Sequence, residues 1–441
     1  MLGLPCPALQ IARYGNDTPV FADCECWYVR GCYGYIHFDP TSSPFTAYLP
    51  STFAMYGVTL AHAVSLKPPS RSRTVKMFTA IGATAILSWP FAAALAPVLA
   101  LQEIADLKWT RDGFLQLCQG VVSAVGIVNL VLVSRYPSHF LISNQCCIVG
   151  LDSIAYQRFQ IVPVNIVLYN VFSGNDRGPD IFGTEPWWYY VLNLSLYFNI
   201  SLVAAFLSLP LQVHSIFACI SLTCNQVVTL ILQRTTRFST ILRRDMTLAS
   251  IYLWITIFIV QPHKEERFIY VIYPLIYHNA AHAWNSFTHL FDFVATKINF
   301  SPNFQRKLKS FLLWGLALMY LTLSAARVLA QVRGFSAPMQ VFVSLESAST
   351  VCFGKEWYRF PSSFFIPETS RAMFVKSGFD GLLPGRFPED KELGWRGGIS
   401  KVPESMNDQN LEELSHLVTV PFHHLSNRKG SNRALRLPRR F

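Results

Sequence analysis

The sequence predicts an all-α polytopic membrane bundle of roughly eight to ten spans with a smaller mixed α/β lobe at the carboxyl end. Three observations carry this expectation. Of the 441 residues, 51% are apolar and only 14% charged, against roughly a quarter charged in a soluble domain. Uncharged runs long enough to cross a bilayer, which takes about 20 residues, recur along the first three quarters of the chain. The last quarter, residues 332–441, holds 26 of the 63 charged residues and no such run.

In chain order, residues 1–46 form a divergent amino-terminal segment in which no charged start precedes an apolar core, so no cleavable signal peptide is expected. Residues 47–331 are the expected transmembrane bundle. Its clearest uncharged runs are 40–66, 77–102, 113–134, 186–233 and 268–291. The shorter runs 246–262 and 310–326 are flanked by Lys or Arg that can snorkel. Run 136–151 is marginal, and no topology is predicted for the amino-terminal half. Lys297, Arg306, Lys307 and Lys309 precede the last span, and Arg234, Arg237, Arg243 and Arg244 precede run 246–262; both loops are expected to face the cytosol. The loop His263 to Arg267 and the carboxyl-terminal lobe then fall on the opposite, lumenal side. Run 186–233 has 48 uncharged residues, enough for two spans. One span with an interfacial hairpin is preferred, because it keeps Glu185 on the lumenal side.

Within 332–441, Gly, Pro and short aromatic stretches such as RFPSSFFIP favour strands and turns. No acid follows Ser415, and six Lys or Arg lie between Arg428 and Arg440. Such a tail suits anionic headgroups, although a frayed basic terminus is the plainer reading. The net charge of +11 is spread over short loops, which argues for membrane topology and against nucleic acid. Ten cysteines show no paired metal spacing and no disulfide framework. Glycosylation acceptors at Asn16, Asn193, Asn199 and Asn299 are expected to be unused, except that Asn16 stays open.

The segment WITIFIVQPHKEERFIYVIYPLI places His263, Lys264, Glu265, Glu266 and Arg267 consecutively between two apolar runs. Charge at this density beside a membrane is costly unless used. A phosphate at the interface needs such groups: Arg offers forked hydrogen bonds, Lys a point charge, and carboxylates order both or bind sugar hydroxyls. Residue chemistry alone leaves a self-paired, snorkelling cap equally open.

HKEERF followed by an aromatic span with YPL resembles the signature of glycosyltransferase family 22, the lumenal mannosyltransferases of N-glycan and lipid-anchor assembly. Further segments are similar to its alpha-1,2-mannosyltransferase branch: LPSTFAMY at 49–56, NIVLYNVF at 165–172, GPDIFGTEPWWYY at 178–190, VCFGKEWYRFPSSFFIP at 351–367 and MNDQNLEE at 406–413. The resemblance implies a GT-C fold in the endoplasmic reticulum membrane. It implies transfer of mannose from dolichyl-phosphate mannose to the dolichol-linked oligosaccharide, with alpha-1,2 linkage and neither metal nor nucleotide cofactor. On that reading His263, Lys264 and Arg267 hold the donor phosphate. Glu265 and Glu266 order the loop or touch mannose, with Glu185 and Asp180 as further sugar-binding candidates beside Trp187, Trp188, Tyr189 and Tyr190.

Inversion at the sugar carbon needs a carboxylate base for the acceptor hydroxyl, which the family carries in a first lumenal loop. The residues before LPSTFAMY do not resemble that loop; Asp17, Asp23 and Glu25 are poor substitutes, so the catalytic base is unassigned. Segments 134–150 and 211–226 also interrupt the resemblance. A catalytically inert membrane scaffold is therefore the alternative function, and a transporter a further rival, disfavoured because the charges sit at span ends. His278 and His282, four apart on a predicted helix, read as hydrogen-bonded bundle histidines ahead of a metal pair. Asp152 and Tyr156 are expected at a span end facing the same loop.

Overall fold

The computed structural model describes residues 49–106, 111–134, 152–153, 159–173, 177–222, 246–335, 350–353, 366–367 and 370–374. The chain divides into two compact units, residues 1–168 with 184–329, and residues 169–183 with 330–441. Asp17, Asp23, Glu25, Asn16, Tyr156 and the segment 406–413 lie outside the described residues.

In the first unit, α1 (Pro50–Ser65) begins at Leu49 in extended geometry, with Pro50 in the first turn where its missing N–H costs nothing. Its buried positions, among them Ala54, Met55, Val58, Ala61, His62 and Ser65, recur every three or four residues and form one face. α2 (Arg71–Leu87) is capped by the Ser70 hydroxyl, which accepts from Arg73 N at 3.2 Å. Glycines let the helices approach α2 closely. A Cβ on Gly57 would stand 1.8 Å from Thr84 Oγ1, and one on Gly120, in α4 (Arg111–Ser134), 2.6 Å from Thr74 Cγ2.

Run 77–102, expected as one span, is broken. Pro90 cannot continue a helix and forces Trp89 into extended backbone, so a 3₁₀ turn (Pro90–Leu95) leads into α3 (Ala96–Asp106). The break brings Glu103 of α3 onto α2, where it pairs with buried Arg73 and accepts from Thr74. Arg73 also donates to Lys67 O at 2.8 Å.

α5 (Val162–Phe172) follows, and then α6 (Tyr189–Phe198) and α7 (Ile200–Leu222), bent by 109° at Asn199. Asn199 sits at φ 41°, where an α-helix cannot pass. Run 186–233 thus holds two helices meeting at a sharp corner. α8 (Met246–Val260), α9 (Tyr273–Lys297) and α10 (Pro302–Phe335) complete the unit. α7 lies along α9, joined by Asn279 Nδ2 donating to Ser208 Oγ at 3.1 Å and to Leu248 O at 2.9 Å. His62 of α1 meets Ser250 of α8 at 2.8 Å. His278 and His282 are buried and meet edge to face at 4.6 Å.

Among the described residues one helix, α10 over Pro302–Gly334, is long and apolar enough to cross a bilayer, or two if the bent pair α6–α7 is one span. The sequence expectation of eight to ten spans is larger. The breaks at Pro90 and Asn199 shorten the apolar helices, and α9 is interrupted by polar residues, among them His278, Asn279, His282, Asn285, His289 and Asp292. In the second unit, Gly178 and Gly183 flank a 3₁₀ turn (Pro179–Phe182) at φ 110° and 107°. β1 (Thr350–Phe353) pairs in parallel with β2 (Arg371–Phe374), Thr350 opposite Arg371, and Phe353 stacks on Phe374.

Candidate functional site

The loop between α8 and α9 is rigid because each part of it is tied down separately. After Val260 the chain turns through Gln261 and Pro262, runs extended to Glu265, and winds into two 3₁₀ turns (Glu266–Phe268 and Tyr270–Ile272) before α9 starts at Tyr273. Beneath it lies an aromatic floor. Trp89 stacks on Phe268 and on Phe258, each at 5.6 Å, and meets Trp254 edge to face at 5.7 Å. Trp254 Nε1 donates to Phe268 O at 3.0 Å. The Pro90 break is what delivers Trp89 to this position.

The three residues expected to hold phosphate, His263, Lys264 and Arg267, occupy different environments. Lys264 is buried, and its ammonium donates to Glu185 O at 2.9 Å, to Gln261 O and to Pro262 O at 3.5 Å. Its charge is spent on carbonyl oxygens, which departs from the expected phosphate contact: with three donors and three carbonyls, the ammonium works as a clamp. Glu185 N in turn donates to Pro262 O at 3.0 Å, so the 178–190 segment is joined to the loop through backbone groups, while the Glu185 side chain stays exposed. His263 is also buried; its Nε2 meets Glu265 Oε1 at 3.0 Å and its ring packs on Phe268.

Arg267 differs from both. Its side chain is 46% exposed, its Nε and Nη2 fork onto the two oxygens of Glu265 at 2.5 and 2.7 Å, and its guanidinium lies 5.7 Å from the Phe268 ring. Burial pushes the Glu265 carboxyl up, but hydrogen bonds from His263 and Arg267 outweigh it and hold the group below the usual glutamate range. The sign follows: with the folded pKa below the unfolded one, this contribution is complete above about pH 4.3 and is lost only as pH falls through the lower folded value. At neutral pH Glu265 is ionised and presents Arg267 at the surface.

Glu266 faces a different neighbourhood. Tyr270 donates to Glu266 Oε1 at 3.4 Å. Tyr190 donates to Glu265 O at 3.2 Å. The guanidinium of Arg327, on α10, stands 5.4 Å from the Tyr197 ring centroid. Asp180 lies in the 3₁₀ turn of the second unit, and Glu185 belongs to the first. Asp152 is half-buried in a short helical stretch. Trp187 and Trp188 are 65% and 47% exposed.

Sequence reading missed Trp89, Trp254 and Tyr270. One signal was available: Pro90 marks the break that places Trp89.

Comparison with known proteins places the chain in a family. Residues 42–367 match the Alg9-like mannosyltransferase family. The chain is 39% identical over 384 residues to alpha-1,2-mannosyltransferase alg9 of Schizosaccharomyces pombe, covering 85% of this chain and 61% of that protein. It is 33% identical over 391 residues to alpha-1,2-mannosyltransferase ALG9 of Homo sapiens, covering 85% and 56%, and 32% identical over 376 residues to that of Saccharomyces cerevisiae, covering 82% and 57%. The chain therefore spans about three fifths of the length of the curated relatives it matches. No solved structure matches it.

Proposed function

The chain belongs to the Alg9-like mannosyltransferase family, a family of membrane glycosyltransferases, and from that membership we propose that it transfers mannose from dolichyl-phosphate mannose to a dolichol-linked oligosaccharide, forming an alpha-1,2 linkage. The reaction takes place at the lumenal face of the endoplasmic reticulum membrane, with the bundle crossing the membrane several times and the carboxyl-terminal lobe on the lumenal side. Membrane lipid surrounds the bundle, no nucleic acid is involved, and the chain's residues act without a metal or nucleotide cofactor.

The observation that carries the reading is Arg267, an exposed guanidinium presented by an ionised carboxylate on a rigid loop at the end of two apolar helices. When the bond between mannose and phosphate breaks, negative charge collects on the departing phosphate. A fixed cation at that point lowers the barrier because its orientation is set before the reaction begins. Arg267 is the phosphate contact, His263 orients Glu265 beneath it, and Lys264 holds the loop to the Glu185 segment. Glu266, beside Tyr270, accepts hydroxyls of the sugar. The exposed Trp187 and Trp188 suit the headgroup level of the bilayer, where the donor's lipid chain must lie.

The test is mannose transfer by the purified full chain in nanodiscs, using radiolabelled dolichyl-phosphate mannose and lipid-linked oligosaccharide. The product should release its label to an alpha-1,2-specific mannosidase. Arg267→Ala should lower transfer by about 10² to 10³, the usual loss for a preorganised charge contact. Wild-type transfer by that variant, or label resistant to the mannosidase, would overturn the assignment.

A further inference from the structure

Lys264 carries a full charge into a buried position, which is costly unless what it secures matters. What it secures is the main chain of Glu185. The ammonium donates to Glu185 O at 2.9 Å and Glu185 N donates to Pro262 O at 3.0 Å, so both backbone groups of one residue are fastened to the loop. Pro186 removes a further freedom, because the residue before a proline is confined to extended backbone. Beyond it, Tyr189 N donates to Pro186 O at 3.1 Å, and Tyr190, the second residue of α6, donates to Glu265 O at 3.2 Å. The Glu185 side chain is spent on none of this. It is exposed and makes no hydrogen bond or ion pair among the described residues. The neighbouring carboxylates are committed: Glu265 to Arg267 and His263, and Glu266 to the Tyr270 hydroxyl.

We propose that Glu185 binds the acceptor, its carboxylate accepting a vicinal pair of hydroxyls from the glycan and so helping to select which glycan receives the new sugar. A carboxylate repels the donor phosphate and suits a neutral polyhydroxyl ligand, to which both of its oxygens can accept. Because the fastening fixes the main chain before any ligand arrives, little ordering remains to be done on binding. Five residue steps separate Pro262, where Glu185 is fastened, from Arg267, at most about 18 Å even if fully extended. The two side chains are therefore within reach of one donor and acceptor pair. Trp187 and Trp188, two and three residues beyond Glu185, are exposed at the headgroup level, where a lipid-linked glycan arrives. The proposal rests on the mannosyl-transfer reading for the acceptor's identity, whereas glycan binding can be read without turnover.

The experiment compares wild type, Glu185→Ala and Glu185→Gln, each as full chain in nanodiscs. The fastening uses main-chain atoms, so both variants should melt within about 2 °C of wild type, and Gln keeps the series interpretable if Ala folds poorly. Glu185→Ala should raise KM for the lipid-linked oligosaccharide about tenfold, with kcat and KM for dolichyl-phosphate mannose within about twofold. Glu185→Gln, whose amide accepts a hydroxyl without the charge, should raise the acceptor KM about threefold. A wild-type acceptor KM in Glu185→Ala overturns the proposal. So does a fall in kcat of about a hundredfold in both variants at saturating acceptor, which would make this carboxylate the base instead. Saturation-transfer NMR with the acceptor glycan freed of its lipid gives the second readout: the signal should be retained in Arg267→Ala and fall in Glu185→Ala. If the wild type transfers no mannose, the functional reading fails while this binding pattern still decides the role of Glu185; equal glycan signals from wild type and Glu185→Ala sink it.

Discussion

At the scale of single residues, the five polar positions between Gln261 and Phe268 divide the labour in a way their order does not announce. Two adjacent side chains, His263 and Lys264, turn inward to hold carboxylate and backbone, and Arg267 remains at the surface. The buried ammonium of Lys264 makes the Glu185 segment and the loop a single object. Lys264→Met keeps the aliphatic stem but leaves buried carbonyls of Glu185 and Gln261 without their donor, so it should destabilise the protein by about 1–3 kcal/mol. Thermal unfolding in nanodiscs measures this, and amide exchange at Glu185 should rise with it. An unchanged melting temperature would show that solvent replaces the ammonium and that the clamp is dispensable. The charge of the loop was legible in the sequence, since HKEER between two apolar runs has few uses. Which side chain faces outward was not, because that depends in part on a carbonyl, Glu185 O, supplied 79 residues away.

At the scale of elements, the site is assembled by interruptions in helices. Pro90 ends α2 and puts Trp89 under the loop, a break the sequence signals by proline alone. Asn199 turns the chain through 109° between α6 and α7. Its backbone, at φ 41° and ψ −120°, suits glycine better than any branched or bulky residue. Its side chain secures the corner by accepting from Ile200 N at 2.6 Å and donating to Ser324. Asn199→Leu should therefore cost about 1–3 kcal/mol of backbone strain in addition to the lost bonds. Asn199→Gly relaxes the backbone but also loses both side-chain bonds, of which the interhelical one is worth about 0.6 kcal/mol on average in membrane bundles. Melting temperatures should rank wild type, Gly, Leu; a Leu variant as stable as wild type would mean that the corner is set elsewhere. The buried Arg73–Glu103 pair belongs to the same class of feature. It lies at the start of α2 and the end of α3, where three helix ends meet, and its charges are satisfied by each other and by the carbonyl of Lys67.

At the scale of the whole molecule, charge placement predicts sidedness. The α9–α10 turn, with Lys297, Arg306, Lys307 and Lys309, belongs on the cytosolic side and the Glu185 segment on the lumenal side. A membrane-impermeant maleimide should label Ser301→Cys, an exposed position in that turn, in intact microsomes. Trp187→Cys, also exposed, should label only after permeabilisation. The opposite pattern, scored against wild-type background, would invert the topology and place the loop away from a lumenal donor. What the sequence alone determined was the class of molecule, the loop that matters and the family it resembles, because composition, apolar run length and a dense polar motif are properties of the chain itself. What only the tertiary structure decided was which side chains of that loop face outward and that Trp89 supports it. Those choices turn on partners distant in sequence, brought together by two broken helices, and neither periodicity nor composition encodes where a break will point.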